Sequence, residues 1–123
     1  MPIITFNIQW REKLIDGSKR QTIRKNATHW VKQWESAFEH NRALVVWCPT
    51  PRYGKGVLLG KVWEWSVQQM HGVRFDDDLA QRDGFGTARE LIAWLMEHNE
   101  MTHNEVMEHS WAVIRWEKLE VAP

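Results

Sequence analysis

The segment GSKRQTIRK, residues 17–25, gathers four cationic side chains around one threonine in a chain whose formal net charge is zero. Cations at this density are typical of contacts with phosphate groups. They are Lys19, Arg20, Arg24 and Lys25. The hydroxyl of Thr22 becomes a useful nucleophile when a neighbouring base removes its proton. The segment therefore fits two kinds of chemistry: nucleic-acid binding and nucleophilic hydrolysis.

The flanking sequence predicts that this segment joins a helix to a short strand. Ahead of it, PIITF predicts a strand, and NIQWREKLIDG has helical spacing that ends at a glycine. RQTIR then alternates in character, so an extended backbone places Arg20, Thr22 and Arg24 on one face. Lys19 and Thr22 would point to opposite faces of a straight strand. A shared site therefore requires a turn or bulge near residues 18–21.

The rest of the chain has patterns of further helices and strands. Apolar spacing predicts an amphipathic helix over residues 28–40, and ALVVWC predicts a strand buried on both faces. VLLGKVWEWSV predicts one long strand with a bulge or bend at Gly60. DDDLAQRDG predicts a two-turn helix, and TARELIAWLMEHN a longer helix with a capping box between Thr87 and Glu90. THNE repeats the capping-box spelling, and SWAVIRWEKL predicts a closing strand.

This order of elements predicts an α+β fold in a single domain over residues 1–123. Strands at both ends with helices inserted favour a small curved mixed sheet or a barrel. A doubly wound parallel sheet would need regular alternation of strands and helices. With 123 residues, 43% of them hydrophobic, the chain has enough apolar surface for one core.

The composition predicts a cytoplasmic protein without a membrane span. No apolar run approaches the roughly 20 residues that a spanning helix needs, and the first residues lack the pattern of a secretory signal. The single cysteine, Cys48, excludes an internal disulfide and fits a small buried hydrophobe. We expect no cofactor, because neither a P-loop nor a dinucleotide fingerprint is present.

Charge is distributed unevenly along this neutral chain. Residues 1–75 carry 12 Lys/Arg against 5 Asp/Glu, and residues 76–109 carry 2 against 9. The asymmetry fits a side that faces a polyanion, or a basic sheet attracted to acidic helices. The nine tryptophans fit core packing, and some of them could be platforms for nucleobases.

The spelling Gly17, Lys19, Thr22 and Arg24 after a first strand and helix resembles the G-x-K-x-x-T-x-R signature of the ASCH family (activating signal cointegrator homology). LAQRDGFGTARELIAWL is similar to the family's segment of an acidic residue followed by a helix, and HSWAVIRWEKL is similar to its closing strand. The resemblance covers nearly the whole chain. It departs from the family at THWVKQWESAFEHNR, a helix-like segment that we expect to reshape or partly roof the site.

The resemblance implies a PUA-like β-barrel of about five or six strands with helices packed against it, and a cleft lined by the signature. Family members are associated with RNA binding, some with ribonuclease activity, and one branch with hydrolysis of the acetyl amide of 4-acetylcytidine. That branch uses a lysine, a threonine and a glutamate. Lys19 and Thr22 match the first two, and the third falls near Asp83, which is one methylene shorter.

Two assignments of catalytic roles are open for these three residues. Lys19 would be the base that activates Thr22 if desolvation lowered its pKa from about 10.4 towards neutrality. Alternatively, Asp83 accepts the proton while a cationic Lys19 stabilises the oxyanion of a tetrahedral intermediate. As a pure binding site, the same cleft would use the cations for phosphate contacts and an aromatic ring for stacking on a base.

Residues outside the signature add less. Arg52 and Lys55 lie in a loop rich in Pro and Gly and would extend a cationic rim. The spacing of His98, His103 and His109 does not fit one helical face, so we expect no metal site. The leading hypothesis is a module that binds RNA or a modified nucleoside. The first alternative is a small metal-independent hydrolase that acts on an acylated nucleoside or on RNA. A further alternative is a module that docks a protein partner through exposed tryptophans.

Overall fold

The computed structural model describes residues 2–48 and 56–123, which form a mixed α+β unit. Strands in this part of the chain are β1 (Ile3–Thr5), β2 (Gln21–Arg24), β3 (Leu44–Trp47), β4 (Leu58–Val62), β5 (Trp65–His71), β6 (Ser110–Trp116) and β7 (Glu120–Val121). The α-helices are α1 (Arg11–Asp16), α2 (Ala27–Glu39), α3 (Asp77–Arg82), α4 (Ala88–Asn99) and α5 (His103–Glu108). The predicted α+β class is confirmed.

The strands pair into two sheets. One has the order β1-β3-β4-β7 and the other the order β2-β6-β5. Only β1 and β3 run parallel among these pairs, and the other neighbours are antiparallel. Within residues 2–48 and 56–123, neither sheet closes on itself, so the barrel expected from the family resemblance is not confirmed.

The segment expected to form one long strand is divided between the two sheets, so that prediction was wrong. β4 ends at Val62 in the four-stranded sheet, and β5 begins at Trp65 in the three-stranded sheet. The two residues between them form the corner, where Trp63 is exposed. Gly60 is needed for a close approach of strands, because a Cβ there would collide with the backbone carbonyl of Glu120.

Two hydrophobic cores lie on opposite faces of β6. Ala112, Ile114 and Trp116 pack into the core beneath the four-stranded sheet and α2. Trp111 and Val113 pack into the second core, with the helices α3, α4 and α5. The strand buried on both faces is therefore β6. In β3, expected to be buried in this way, buried residues alternate with half-buried ones.

The helix termini follow the predicted capping chemistry in part. The hydroxyl of Thr87 accepts the backbone N–H of Glu90, but the carboxylate of Glu90 accepts from Gly86, so this capping box is not closed. The box of Thr102 and Glu105 at α5 is complete. Among the helices of the described residues, none has the length and apolar character needed to cross a lipid bilayer.

Candidate functional site

Residues from the signature meet Asp83 around one cavity of about 260 Å³. The predicted site residues in its wall are Lys19, Thr22, Arg24, Lys25 and Asp83. Segment 5–10 and helix α4 supply most of the remaining wall. Residues 64 positions apart along the chain thus contribute to one site.

The turn that a shared site requires is present. Helix α1 ends at Gly17, whose φ of 82° lies in the left-handed region that glycine tolerates best. The backbone N–H of Lys19 then donates to the carbonyl of Lys13, and β2 begins only at Gln21. Because Lys19 precedes the strand, its side chain reaches the same cavity as Thr22.

Lys19 and Asp83 form a buried ion pair. The Nζ atom of Lys19 lies 3.3 Å from Oδ2 of Asp83 and donates to its backbone carbonyl at 2.6 Å. The two residues are 2% and 5% exposed. Burial lowers the pKa of Lys19, and the carboxylate of Asp83 opposes that change. Burial likewise raises the pKa of Asp83, against the effects of Lys19, Gln21 and Arg24.

Gln21 holds the other carboxylate oxygen and was not singled out by the sequence. Its Nε2 donates to Oδ1 of Asp83 at 3.2 Å and to the carbonyl of Leu79 at 3.0 Å. Its Oε1 accepts from Nε of Arg115 at 3.0 Å. Gln21 is 1% exposed, so its amide is a fixed part of the structure. The only sign of this role in the sequence was that Gln21 is a polar residue on the face of the short strand that Thr22 does not occupy.

Thr22 is buried and lines the cavity together with this pair. No hydrogen bond joins its hydroxyl to any residue among 2–48 and 56–123. It is therefore available to a bound ligand as a donor, an acceptor or a nucleophile.

Arg24 is held rigidly at the edge of the cavity. Its Nη2 donates to the carbonyl of Thr5 at 2.7 Å, and its guanidinium carbon lies 4.9 Å from the centroid of the Phe6 ring. Burial lowers the pKa of Arg24 to about 10, and Asp83 opposes this change. The guanidinium is therefore charged at neutral pH. Lys25 is exposed at the rim.

Aromatic rings form another wall of the cavity. The Trp10 ring lies 4.3 Å from Nζ of Lys19 and packs edge-on against Trp94, with 5.8 Å between centroids. His98, one turn further along α4, stacks on Trp94 with centroids 3.5 Å apart and 19° between the planes. His98 is exposed and lines the cavity, so a flat ligand there can reach its imidazole. Sequence spacing between histidines could not identify this role.

Gly84 sets the position of this aromatic wall. Its φ is 99°, and a Cβ there would lie 2.7 Å from Cζ3 of Trp10. Any other residue at position 84 would strain the backbone and displace the indole.

The other predicted site residues lie elsewhere. Arg20 is exposed, points away from this cavity and lines a second one. Arg52 and Lys55 fall outside the described residues. Helix α2 packs against β5 and β6 and contributes no residue to the wall of the first cavity, so it does not roof the site. No group of three His, Cys, Asp or Glu side chains in the described ranges could hold a metal ion.

The predicted docking of a protein partner rests on exposed aromatic rings. Trp63 is 51% exposed, and the other eight tryptophans are half-buried or buried. Phe38, at 84% exposure, lines shallow cavities together with Trp63. This surface lies apart from the cavity of Lys19 and Asp83.

No family model, no curated protein and no solved structure matches this chain. The site combines fixed cations, a free hydroxyl, a buried carboxylate with a raised pKa and an exposed imidazole. This combination suits a flat, polar ligand.

Proposed function

We propose that the first cavity binds a nucleobase, either of single-stranded RNA or of a modified nucleoside, and that the chain is a PUA-like protein of the ASCH type. The proposal rests mainly on one observation: Lys19, Thr22, Arg24 and Asp83 surround a single cavity beside stacked rings. The cavity is smaller than the roughly 300–1,000 Å³ of pockets that hold drug-sized ligands, which favours one ring system over several. The barrel of that family remains part of the proposal.

The chemistry of a base matches the wall. A base stacks well on the exposed imidazole of His98, extending the stack that His98 makes with Trp94. The hydroxyl of Thr22 would bond to a polar edge of the base. Lys25, at the rim, would meet a phosphate or ribose outside the cavity.

The experiment measures binding of cytidine, 4-acetylcytidine and a short unstructured RNA by calorimetry. We expect His98→Ala and Thr22→Val each to weaken nucleoside binding about ten-fold, because each removes a contact worth roughly 1–3 kcal/mol. The matched control is Lys32→Ala, an exposed cation on α2 that lines neither cavity. Affinity for the RNA should also fall as salt increases. Absence of binding by all three ligands, or binding that neither variant weakens, contradicts the proposal.

A second candidate function is hydrolysis of an acylated nucleoside such as 4-acetylcytidine, or cleavage of RNA. It is favoured by the free hydroxyl of Thr22 beside two groups whose pKa values are shifted towards their neutral forms. The oxygen of Thr22 would attack the acetyl carbon while Lys19 or Asp83 accepts its proton. The C–N bond then breaks, the departing amine of cytidine takes a proton, and water releases acetate from the threonine ester.

The test is turnover of 4-acetylcytidine to cytidine, with an unstructured RNA in parallel. Thr22→Ala should abolish turnover, and Thr22→Ser should keep part of it. The pH profile separates the two bases. If Lys19 is the base, the rate rises through a pKa below its ordinary 10.5; if Asp83 is the base, it rises through a pKa above 3.8. Turnover that Thr22→Ala leaves unchanged would rule out this nucleophile.

A further inference from the structure

A second cavity, of about 310 Å³, lies on the other side of residues 18–21. Lys19 and Thr22 face the first cavity, whereas Arg20 and Gln21 face the second, so this short segment is the wall between them. Three arginines from separate parts of the chain line the second cavity: Arg20, Arg82 and Arg115. Such a concentration of guanidinium groups around a concave surface is suited to an anion.

Arg20 is oriented by its own turn. Its Nε donates to the carbonyl of Gly17 at 2.9 Å, which leaves both terminal nitrogens without a partner among the described residues. The guanidinium lies over Gly17, where a Cβ would come within 3.3 Å of Nη2. Gly17 thus permits the left-handed turn and also leaves room for the guanidinium of Arg20.

Arg115 is oriented in the same way from the neighbouring strand β6. Its Nε donates to Oε1 of the buried Gln21 at 3.0 Å, and its Nη1 has a longer contact of 3.5 Å to Oε1 of Gln68. Both arginines are therefore fixed through Nε, and their terminal nitrogens remain to bind a ligand. Preorganisation of this kind lowers the entropic cost of binding.

The positive charges of Arg20 and Arg115 are only partly offset by nearby carboxylates. Within residues 2–48 and 56–123, neither makes an ion pair; Arg82 alone of the three does, with Asp78 at 3.3 Å. Glu117 is the one carboxylate among the residues that line the cavity. Counted over the three arginines, Glu117 and Asp78, the net charge is +1. Arg20 and Arg115 donate hydrogen bonds only to uncharged oxygens.

We propose that this second cavity binds a phosphate group. Planar guanidinium groups engage phosphate oxygens in pairs of parallel hydrogen bonds, and a tetrahedral phosphate can use two such groups at once. A carboxylate has too few oxygens to engage both arginines in this way. The two cavities share no lining residue, so a ligand in one does not occupy the other.

The experiment titrates the protein with inorganic phosphate while amide signals of residues 17–21 are followed by NMR. We expect millimolar or tighter binding that Arg20→Gln and Arg115→Gln each weaken about ten-fold, as loss of a charge-assisted hydrogen-bond pair does. Glu117→Gln should tighten binding about three-fold, because it removes a like charge. Lys32→Gln, an exposed cation on α2, is the control and should change nothing. Acetate should bind more weakly than phosphate.

Two further arms identify where the phosphate comes from. Uridine 5′-monophosphate and a short oligouridylate are compared: tighter binding of the oligonucleotide with the same arginine dependence indicates an RNA backbone, and tighter binding of the mononucleotide indicates a small ligand. Arg20 is exposed, so Arg20→Gln tests the site even if Arg115→Gln fails to fold. Phosphate binding that Arg20→Gln does not weaken, or that Glu117→Gln does not tighten, overturns the proposal. Failure of cytidine and 4-acetylcytidine to bind, with phosphate still bound, would refute the first cavity's function alone.

Discussion

The two cavities on either side of residues 18–21 differ in the partners of their cationic side chains. In the first, Lys19 is buried and lies against the buried carboxylate of Asp83. In the second, Arg20 and Arg115 have access to water and bond only to neutral oxygens. An unpaired buried charge is costly, whereas a solvated guanidinium is not. The first cavity therefore suits a ligand with little charge of its own, and the second suits an anion.

The largest effect should come from breaking the buried pair. Asp83→Ala leaves Lys19 buried without its partner, and we expect the free energy of unfolding to fall by about 3–5 kcal/mol. The matched control is Asp78→Ala, which breaks the exposed pair with Arg82 and should cost about 0–1 kcal/mol. Both are measured by urea denaturation.

A double variant separates the value of the pair from the cost of breaking it. Lys19→Met with Asp83→Leu replaces both charges by apolar groups, and its stability should lie well above that of Asp83→Ala alone. The single variants Lys19→Met and Asp83→Leu complete the cycle. If their losses of stability simply add in the double variant, Lys19 and Asp83 do not interact in solution as their 3.3 Å separation implies.

The next effect concerns Gln21, which lines the second cavity and donates a hydrogen bond to Asp83 in the wall of the first. Gln21→Met keeps the length of the side chain but leaves Asp83 Oδ1 and the carbonyl of Leu79 without this donor. We expect a loss of about 3 kcal/mol in unfolding free energy, measured in urea. Gln68→Met, which removes only a long contact to Arg115 from an exposed residue, should cost less than about 0.5 kcal/mol. Equal losses of unfolding free energy in the two variants would show that the buried amide of Gln21 does not stabilise the contact with Asp83.

Much of the fold follows from local patterns in the sequence. Strand β2, helices α2 to α4 and strand β6 were predicted, because periodicity and capping residues are local signals. The division between β4 and β5 was missed, since the pattern Leu59, Trp63, Trp65, Val67 continues across the corner. β4 pairs with β7, some 60 residues further along, whereas β5 pairs with β6, and no local pattern reveals this change of partner.

The site was predictable only in part. Lys19, Thr22, Arg24 and Asp83 were expected to meet, and the structure brings them together. That expectation came from a family resemblance and not from spacing alone. Gln21 and Arg115 were missed because their roles arise from a contact between β2 and β6, 94 residues apart. Arg20 was expected in the same cleft, but the turn before β2 directs it to the other side.

Two glycines with positive φ allow a finer comparison of the cavities. Gly84→Ala forces a Cβ to within 2.7 Å of the Trp10 ring, whereas in Gly17→Ala the nearest group is the exposed guanidinium of Arg20 at 3.3 Å. We expect losses in unfolding free energy of about 2 and about 1 kcal/mol, since both strain the backbone but only one moves a packed ring. Only Gly84→Ala should weaken nucleoside binding. If calorimetry finds the nucleoside weakened equally in both, Trp10 does not form the wall that the ligand touches.

The smallest effect is the pH dependence that the buried pair imposes on stability. The pKa of Asp83 is raised above its ordinary value of 3.8, so the folded protein holds this proton more tightly than the unfolded chain does. Its contribution to stability therefore falls as pH rises from 3.8 through the folded pKa. The pKa of Lys19 is lowered from 10.5, so its contribution increases as pH rises from the folded pKa towards 10.5.

Between these two folded pKa values both groups are charged, and their burial costs most. The difference in unfolding free energy between the wild type and the Lys19→Met, Asp83→Leu variant should therefore have its minimum near neutral pH. Each limb has a slope below about 1.4 kcal/mol per pH unit, the limit for one proton. Urea denaturation of both proteins from about pH 4 to about pH 10 measures this difference in unfolding free energy. A maximum near neutral pH would mean that the ion pair outweighs its desolvation, and the first cavity would then tolerate charge as readily as the second.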